Sequence, residues 1–266
     1  MPSVLFESDH RGVCRLTLNR PDSANAFDEQ LIAELTDALQ HLATWQDCRA
    51  LILQGNGKHF SAGADLNWMQ RQAQMDFAAN VSDANTLALL MRTLDEFPHP
   101  TIALVHGAAF GGALGLLCCC DIAIAHHSAR FCLSEVKLGL IPAVISPYVA
   151  RTIGMRQMRR YALTAEVINA HEALSLGLVH QLADELQPTC EQLVNALLKG
   201  APQAQKYCKQ LLGQIAQQPI DTELHQLTAQ AIAEVRAKAE AQEGIHAFFD
   251  QRSPQWRSQN TEGNHG

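Results

Sequence analysis

No Cys-x-x-Cys pair occurs among the eight cysteines, which stand at positions 14, 48, 118, 119, 120, 132, 190 and 208. Three are consecutive. On a helix, neighbouring side chains point roughly 100° apart, so Cys118, Cys119 and Cys120 cannot share one metal ion. Free thiols in a reducing cytoplasm are the expectation. Positive charge is also short: 20 Lys and Arg face 27 Asp and Glu, for a formal net charge of −7. That argues against a general nucleic-acid or anionic-membrane surface, and leaves open a local basic pocket for a phosphorylated ligand. The start, Met1-Pro2-Ser3-Val4, has no basic stretch followed by an apolar one, so no secretory signal is expected. One charge-free run, Thr101 to Cys120, approaches bilayer length. It contains His106 and four glycines and ends at Asp121, so a buried strand, a tight turn and a buried helix fit it better. A soluble, cytoplasmic protein is expected, with no membrane and no nucleic acid as partner.

With 266 residues, 47% hydrophobic and 18% charged, the chain has the material for one large core and a small appendage. Val4-Leu5-Phe6 and Val13 to Leu18 flank the turn-rich Asp9-His10-Arg11-Gly12 and read as a hairpin. Phe27, Leu31, Leu35, Leu39 and Leu42 recur at helical spacing, with Asp28 as the cap. Ala50 to Leu53, Thr101 to Val105 and Ile122 to Ala125 read as buried strands, and a helix from about Ser82 to Phe97 stops at Pro98 and Pro100. Strands separated by helices predict parallel crossovers and an α/β core over residues 1–186. Beyond it, over residues 187–266, Pro188 to Lys199, Pro202 to Ala216 and Thr222 to Gln242 read as helices. The polar end, Trp256 to Gly266, reads as frayed.

Two glycine-containing turns stand out: Phe60-Ser61-Ala62-Gly63-Ala64-Asp65-Leu66, and Gly107 to Gly115 with Gly111-Gly112 at its centre. Neither matches Gly-x-Gly-x-x-Gly or the P-loop, so nucleotide-phosphate cradles of those types are not expected. They read either as close-packing turns or as a pair of bare backbone N–H groups that stabilise charge on a carbonyl oxygen.

These segments resemble the enoyl-CoA hydratase/isomerase (crotonase) superfamily. The first turn is similar to the family's first oxyanion position. Val105-His106-Gly107 through Gly112, followed by Cys120-Asp121-Ile122-Ala123, is similar to the second. Phe131 to Pro142 resembles the catalytic-glutamate segment, and Gly177-Leu178-Val179 and Phe248 to Trp256 also fit. The resemblance runs from about Leu16 to Trp256. It implies a spiral of ββα units with a helical C-terminal region that trimerises, commonly into a dimer of trimers. It places the Ala64 and Gly112 N–H groups on a thioester oxygen and Glu135 as the proton-transfer group. Ala62, Gly63, Ala64, Asp65 and Leu66 would surround coenzyme A, and Arg20 would reach a CoA phosphate unless it is a plain loop arginine. The resemblance further implies an acyl-CoA substrate and no metal or redox cofactor.

Hydratases of this family commonly hold one water between two glutamates. Counting from Gly111-Gly112, the second position here is Gly115, which leaves Glu135 alone. A single glutamate can act as base and then acid. The runs at 64–69, 110–116, 134–136 and 141–147 resemble bacterial methylglutaconyl-CoA hydratases and the similar isohexenylglutaconyl-CoA hydratases. Both substrates carry a β-branch ending in a carboxylate, so Gly115 reads as space for that branch. A straight-chain hydratase and a Δ-isomerase stay open. A eukaryotic relative binds RNA through lysines on an early helix, but here Asp28 to Trp45 holds no Lys or Arg. His126-His127 and His106 read as surface and packed histidines. Ser61 lacks the Gly-x-Ser-x-Gly elbow of a hydrolase.

Overall fold

A computed structural model describes residues 1–216 and 218–258. Strands β1 (Val4–Ser8) and β2 (Val13–Leu18) form the expected antiparallel hairpin. Helix α1 (Glu29–Thr44) follows, with the Asp28 carboxylate accepting from Leu31 N–H at 2.9 Å, and it buries Leu31, Leu35, Leu39 and Leu42 on one face. Then come β3 (Ala50–Gly55), α2 (Leu66–Gln72) and α3 (Phe77–Asp95). The α3 helix starts earlier than the sequence pattern suggests, because Asp76 caps it through Ala79 N–H, and α2 is an additional short helix capped by Asp65.

The charge-free run resolves into β4 (Thr101–Val105), β5 (Ala108–Phe110) and α4 (Gly112–Cys119). It is followed by β6 (Ile122–His126), β7 (Arg130–Cys132), α5 (Ser146–Ile153), α6 (Met155–Thr164), β8 (Ile168–Asn169), α7 (Ala170–Ser175) and β9 (Gln181–Ala183). The remaining elements among the described residues are helices: α8 (Leu186–Leu198), α9 (Pro202–Ile215), α10 (Thr222–Arg236), α11 (Ala239–Phe249) and α12 (Gln255–Ser258). The single helix expected from Thr222 to Gln242 is broken, since Ala237 closes α10 and Lys238, in extended backbone, opens α11. Of the tail expected to be frayed, residues 256–258 belong to α12 and 259–266 lie outside the described residues.

Six strands form one sheet in the order β1-β2-β3-β4-β6-β9, parallel except for the hairpin. A second sheet, β5-β7-β8, is extended by parallel bridges between Ser61 and Ala109 and between Phe27 and Ala64. Each turn of the chain leaves a strand in the first sheet, a strand segment in the second, and then a helix. That is the α/β spiral of ββα units expected from the resemblance. One face of the large sheet packs on α1, α3 and α4 through Leu31, Leu35, Leu90, Leu94 and Leu114. The other is closed by Cys190, Val194 and Leu198 of α8 against Val13, Ile52, Ile102 and Ile124. At about 25 cal/mol per Å² of apolar surface, these two layers are the main source of stability. Among the described residues no helix is long and apolar enough to cross a membrane.

Candidate active site

The first glycine turn is pinned by Phe27. Its N–H donates to Gly63 O at 2.7 Å, and its carbonyl accepts from Asp65 N–H at 2.8 Å. These two bonds bracket Ala64, whose own N–H lies between them and donates to no protein acceptor among the described residues. Ala62 N–H donates to Ala24 O at 2.9 Å and Gly63 N–H to Ser61 Oγ at 3.3 Å. Ser61 is therefore a buried turn residue and not an exposed nucleophile. The Asp65 carboxylate accepts from Asn67 and Trp68 N–H at 2.9 and 3.2 Å, which fixes the start of α2 directly after Ala64. Burial works to raise the Asp65 pKa, but the hydrogen bonds from Trp68, Arg20 and Asn67 prevail and hold it below the usual carboxylate value.

The second turn sits beside the first. Gly111 takes φ +53°, ψ −124°, a backbone that side-chain-bearing residues avoid. Its N–H donates to Cys132 O at 2.9 Å. A Cβ on Gly111 would lie 3.2 Å from Glu135 Oε1 and 3.9 Å from Gly63 Cα. The glycine thus lets the carboxylate approach the turn. Gly112 is the first residue of α4, so its N–H has no intrahelical acceptor and carries the positive end of the helix dipole.

Glu135 opens a short 3-10 turn (Glu135–Leu138) that Gly139 closes at φ +75°. Its Oε2 is buried without a hydrogen-bond partner among the described residues. Burial raises the carboxyl pKa above the ordinary value, with only its own backbone N–H opposing. Ala64, Gly112, Glu135 and Phe27 line one cavity of about 1030 Å³, walled by α2, α3 and residues 138–145. Its charged lining groups are Glu135 and Asp83, with no Lys, Arg or His. Asp83 is held by Trp68 Nε1–H at 3.1 Å and Gln72 Nε2–H at 2.6 Å, which ties α3 to α2. Leu138, Leu140 and Ile141 are exposed apolar residues among those that line it.

Of the candidate site residues, Ala64, Gly112 and Glu135 line one cavity, while Ala62, Gly63, Asp65 and Leu66 flank Ala64 in the turn outside its lining, with Leu66 76% exposed. Two other expectations need correction. Arg20 is not a free cation for a phosphate: its guanidinium pairs with Asp28 at 2.9 Å and Asp65 at 3.0 Å and also donates to Ala26 O. It works as a brace between the N-caps of α1 and α2. Gly115 offers no open space. It is buried in α4, and a Cβ there would lie 2.3 Å from Ile145 Cγ2 and 2.9 Å from Met91 Sδ. Ile145, and not residue 115, lines the cavity. Sequence reasoning gave no individual role to Ile145, which it read only within the run 141–147, nor to Asp83 or the double contact of Phe27, whose partners lie on other elements.

The histidines stay outside the site. His106 Nε2 lies 2.9 Å from Gly57 O, and His126 Nδ1 lies 2.7 Å from Ser128 Oγ. Among the described residues no group of three or more His, Cys, Asp or Glu is placed to hold a metal ion.

The sequence profile described as enoyl-CoA hydratase/isomerase matches residues 8–259. A 2,3-dehydroadipyl-CoA hydratase of Escherichia coli is 33% identical over 258 residues, covering 96% of this chain and 99% of that one. A short-chain-enoyl-CoA hydratase of Clostridium acetobutylicum is 31% identical, covering 94% and 95%. Among solved structures, an enoyl-CoA hydratase from Shewanella pealeana superposes with a TM-score of 0.94 at 52% identity, over 96% of each chain. Pseudomonas aeruginosa AtuE superposes at 0.91 with 37% identity, over 96% and 99%.

Proposed function

Because the chain belongs to the enoyl-CoA hydratase/isomerase family, we propose that it adds water to a β-branched enoyl-CoA with Glu135 as its sole catalytic carboxylate. One observation carries this reading: a buried carboxylate with an unpartnered oxygen lines a cavity that Ala64 and Gly112, whose N–H groups have no acceptor among the described residues, also line. The thioester oxygen accepts from those two donors, which stabilise the enolate charge as it develops. Ionised Glu135 takes a proton from a water, the water oxygen bonds to Cβ, and the C=C electrons move toward the thioester. Glu135 then returns the proton to Cα. Atoms and charge balance without an oxidant, so the reaction calls for no redox group.

For the acyl group, the motif resemblance supports 3-methylglutaconyl-CoA, giving 3-hydroxy-3-methylglutaryl-CoA as in leucine degradation. A relative named for a dicarboxylic enoyl-CoA, 2,3-dehydroadipyl-CoA, agrees with a substrate of that charge type. A second reading, an uncharged acyl chain, is favoured by the mainly apolar lining and by the lack of a lining cation to meet a distal carboxylate. We propose in addition that the chain self-associates through its C-terminal helices, where Phe248 and Phe249 of α11 are 77% and 76% exposed.

The test is a panel of methylglutaconyl-, isohexenylglutaconyl-, crotonyl- and 3-enoyl-CoA on wild type and Glu135→Gln. The expected result is hydration of the glutaconyl thioesters, with kcat lowered about 10²–10⁴-fold in the variant and thioester binding retained. Preference for crotonyl-CoA would transfer the assignment to the uncharged chain, double-bond migration without hydration would make the enzyme an isomerase, and full turnover by Glu135→Gln would refute the mechanism.

A further inference from the structure

Phe27 touches both halves of the proposed donor pair. Its backbone brackets Ala64 from both sides, through Gly63 O at 2.7 Å and Asp65 N–H at 2.8 Å. Its ring backs Gly112: a Cβ added to Gly112 would lie 3.0 and 3.1 Å from Phe27 Cε2 and Cδ2. The ring is 1% exposed and also lines the cavity. The two contacts differ in kind. The backbone brace is indifferent to the side chain, whereas the contact with Gly112 is made by the ring. The Gly111-Gly112 turn needs such a backstop, because Gly111 has no side chain to pack and sits in a backbone region open to glycine.

We infer that the Phe27 ring is a positioning residue for the Gly112 donor, setting the angle at which its N–H meets the thioester oxygen. Ring removal leaves the Ala64 donor braced and frees the α4 start to shift toward the vacated volume. A donor moved by about an ångström still permits binding but no longer matches the transition-state oxyanion. The loss therefore falls on kcat and not on KM.

This inference rests on the reading of Ala64 and Gly112 as thioester donors, and the test separates the two. In wild type, a bound non-reactive acyl-CoA should show its thioester C=O infrared stretch shifted to lower frequency than in water. No shift in wild type would remove the donor reading itself. With the shift present, Phe27→Ala should lose about half of it or more, and kcat should fall about 10²-fold with KM changed less than about threefold. Phe27→Met, which keeps most of the volume, should recover much of both, and it serves as the test variant if Phe27→Ala does not fold. A residue that merely fills the core would lower the melting temperature and the bindable fraction while every bound thioester kept the full shift. An unshifted infrared band in a kcat-impaired Phe27 variant supports the inference, and a wild-type shift in both variants overturns it.

Discussion

The packing above Gly115 makes a prediction whose size depends on a second residue. In Gly115→Ala the new methyl would stand 2.3 Å from Ile145 Cγ2, a distance that side chains cannot share. Ile145 is 2% exposed and Met91 is fully buried, so neither can swing into solvent. Overpacking of this kind costs about 1–3 kcal/mol. Alanine in place of a helical glycine returns about 1 kcal/mol. The expected net loss is about 0–2 kcal/mol, read from urea midpoints with an unchanged slope. Ile145→Ala removes Cγ2 and by itself costs about 2–5 kcal/mol. On that background the 2.3 Å clash is gone, and the methyl at 115 meets Met91 Sδ at 2.9 Å, the middle of a flexible side chain, and the Cβ retained at position 145 at 3.0 Å. Gly115→Ala should then lie within about 1 kcal/mol of neutral. The coupling across the double-mutant cycle is thus about 1 kcal/mol. Additivity within about 0.5 kcal/mol would refute the packing argument. Gly115→Glu adds a longer, charged side chain at the same point, so by itself it reports on packing and not on substrate choice.

Two further outcomes follow from the electrostatics. Burial raises the Glu135 pKa, so the base form appears only at higher pH than for a free glutamate, and the acid limb of kcat/KM should lie above the ordinary value of about 4.3. In stability the sign is opposite to that of a salt-bridged carboxylate: the ionised folded state is the disfavoured one, so Glu135→Gln should raise Tm above that limb and give no gain below the ordinary carboxylate range. An acid limb at or below the ordinary value would contradict the burial argument. Arg20→Ala leaves the Asp28 and Asp65 carboxylates, 16% and 12% exposed, without their shared cation. A loss of about 2–3 kcal/mol in urea unfolding is expected, with Arg20→Lys recovering part of it. A loss under about 0.5 kcal/mol would class these as surface pairs.

Local signals in the sequence sufficed wherever one element carries its own evidence. The Leu31-Leu35-Leu39-Leu42 spacing with its Asp28 cap locates α1, and the apolar runs at 50, 101 and 122 locate β3, β4 and β6. The short strands β5, β7 and β8 carry no such signal, because two or three residues become a strand only through a partner elsewhere. The break between α10 and α11 lies in good helix-forming sequence, so periodicity ran across it. In the site, the glycine turns and Glu135 were legible from their motifs. The role of Arg20 was not, since Asp65 is 45 residues away. Nor was the state of Gly115, since an absent side chain reads as space until its neighbours are known.

The bridge between Ser61 and Ala109 reaches beyond those two residues. Three positions on from each partner stand Ala64 and Gly112, the pair proposed as thioester donors. The bridge seats the two glycine turns side by side just ahead of that pair, through Ser61 N–H to Ala108 O at 3.0 Å and Phe110 N–H to Ser61 O at 3.1 Å. Main-chain pairing thus sets the coarse spacing of the proposed donors, and packing such as the Phe27 ring is left to trim the angle. Pockets built on this spiral can therefore be recut residue by residue while the frame behind the two turns keeps its backbone pairing.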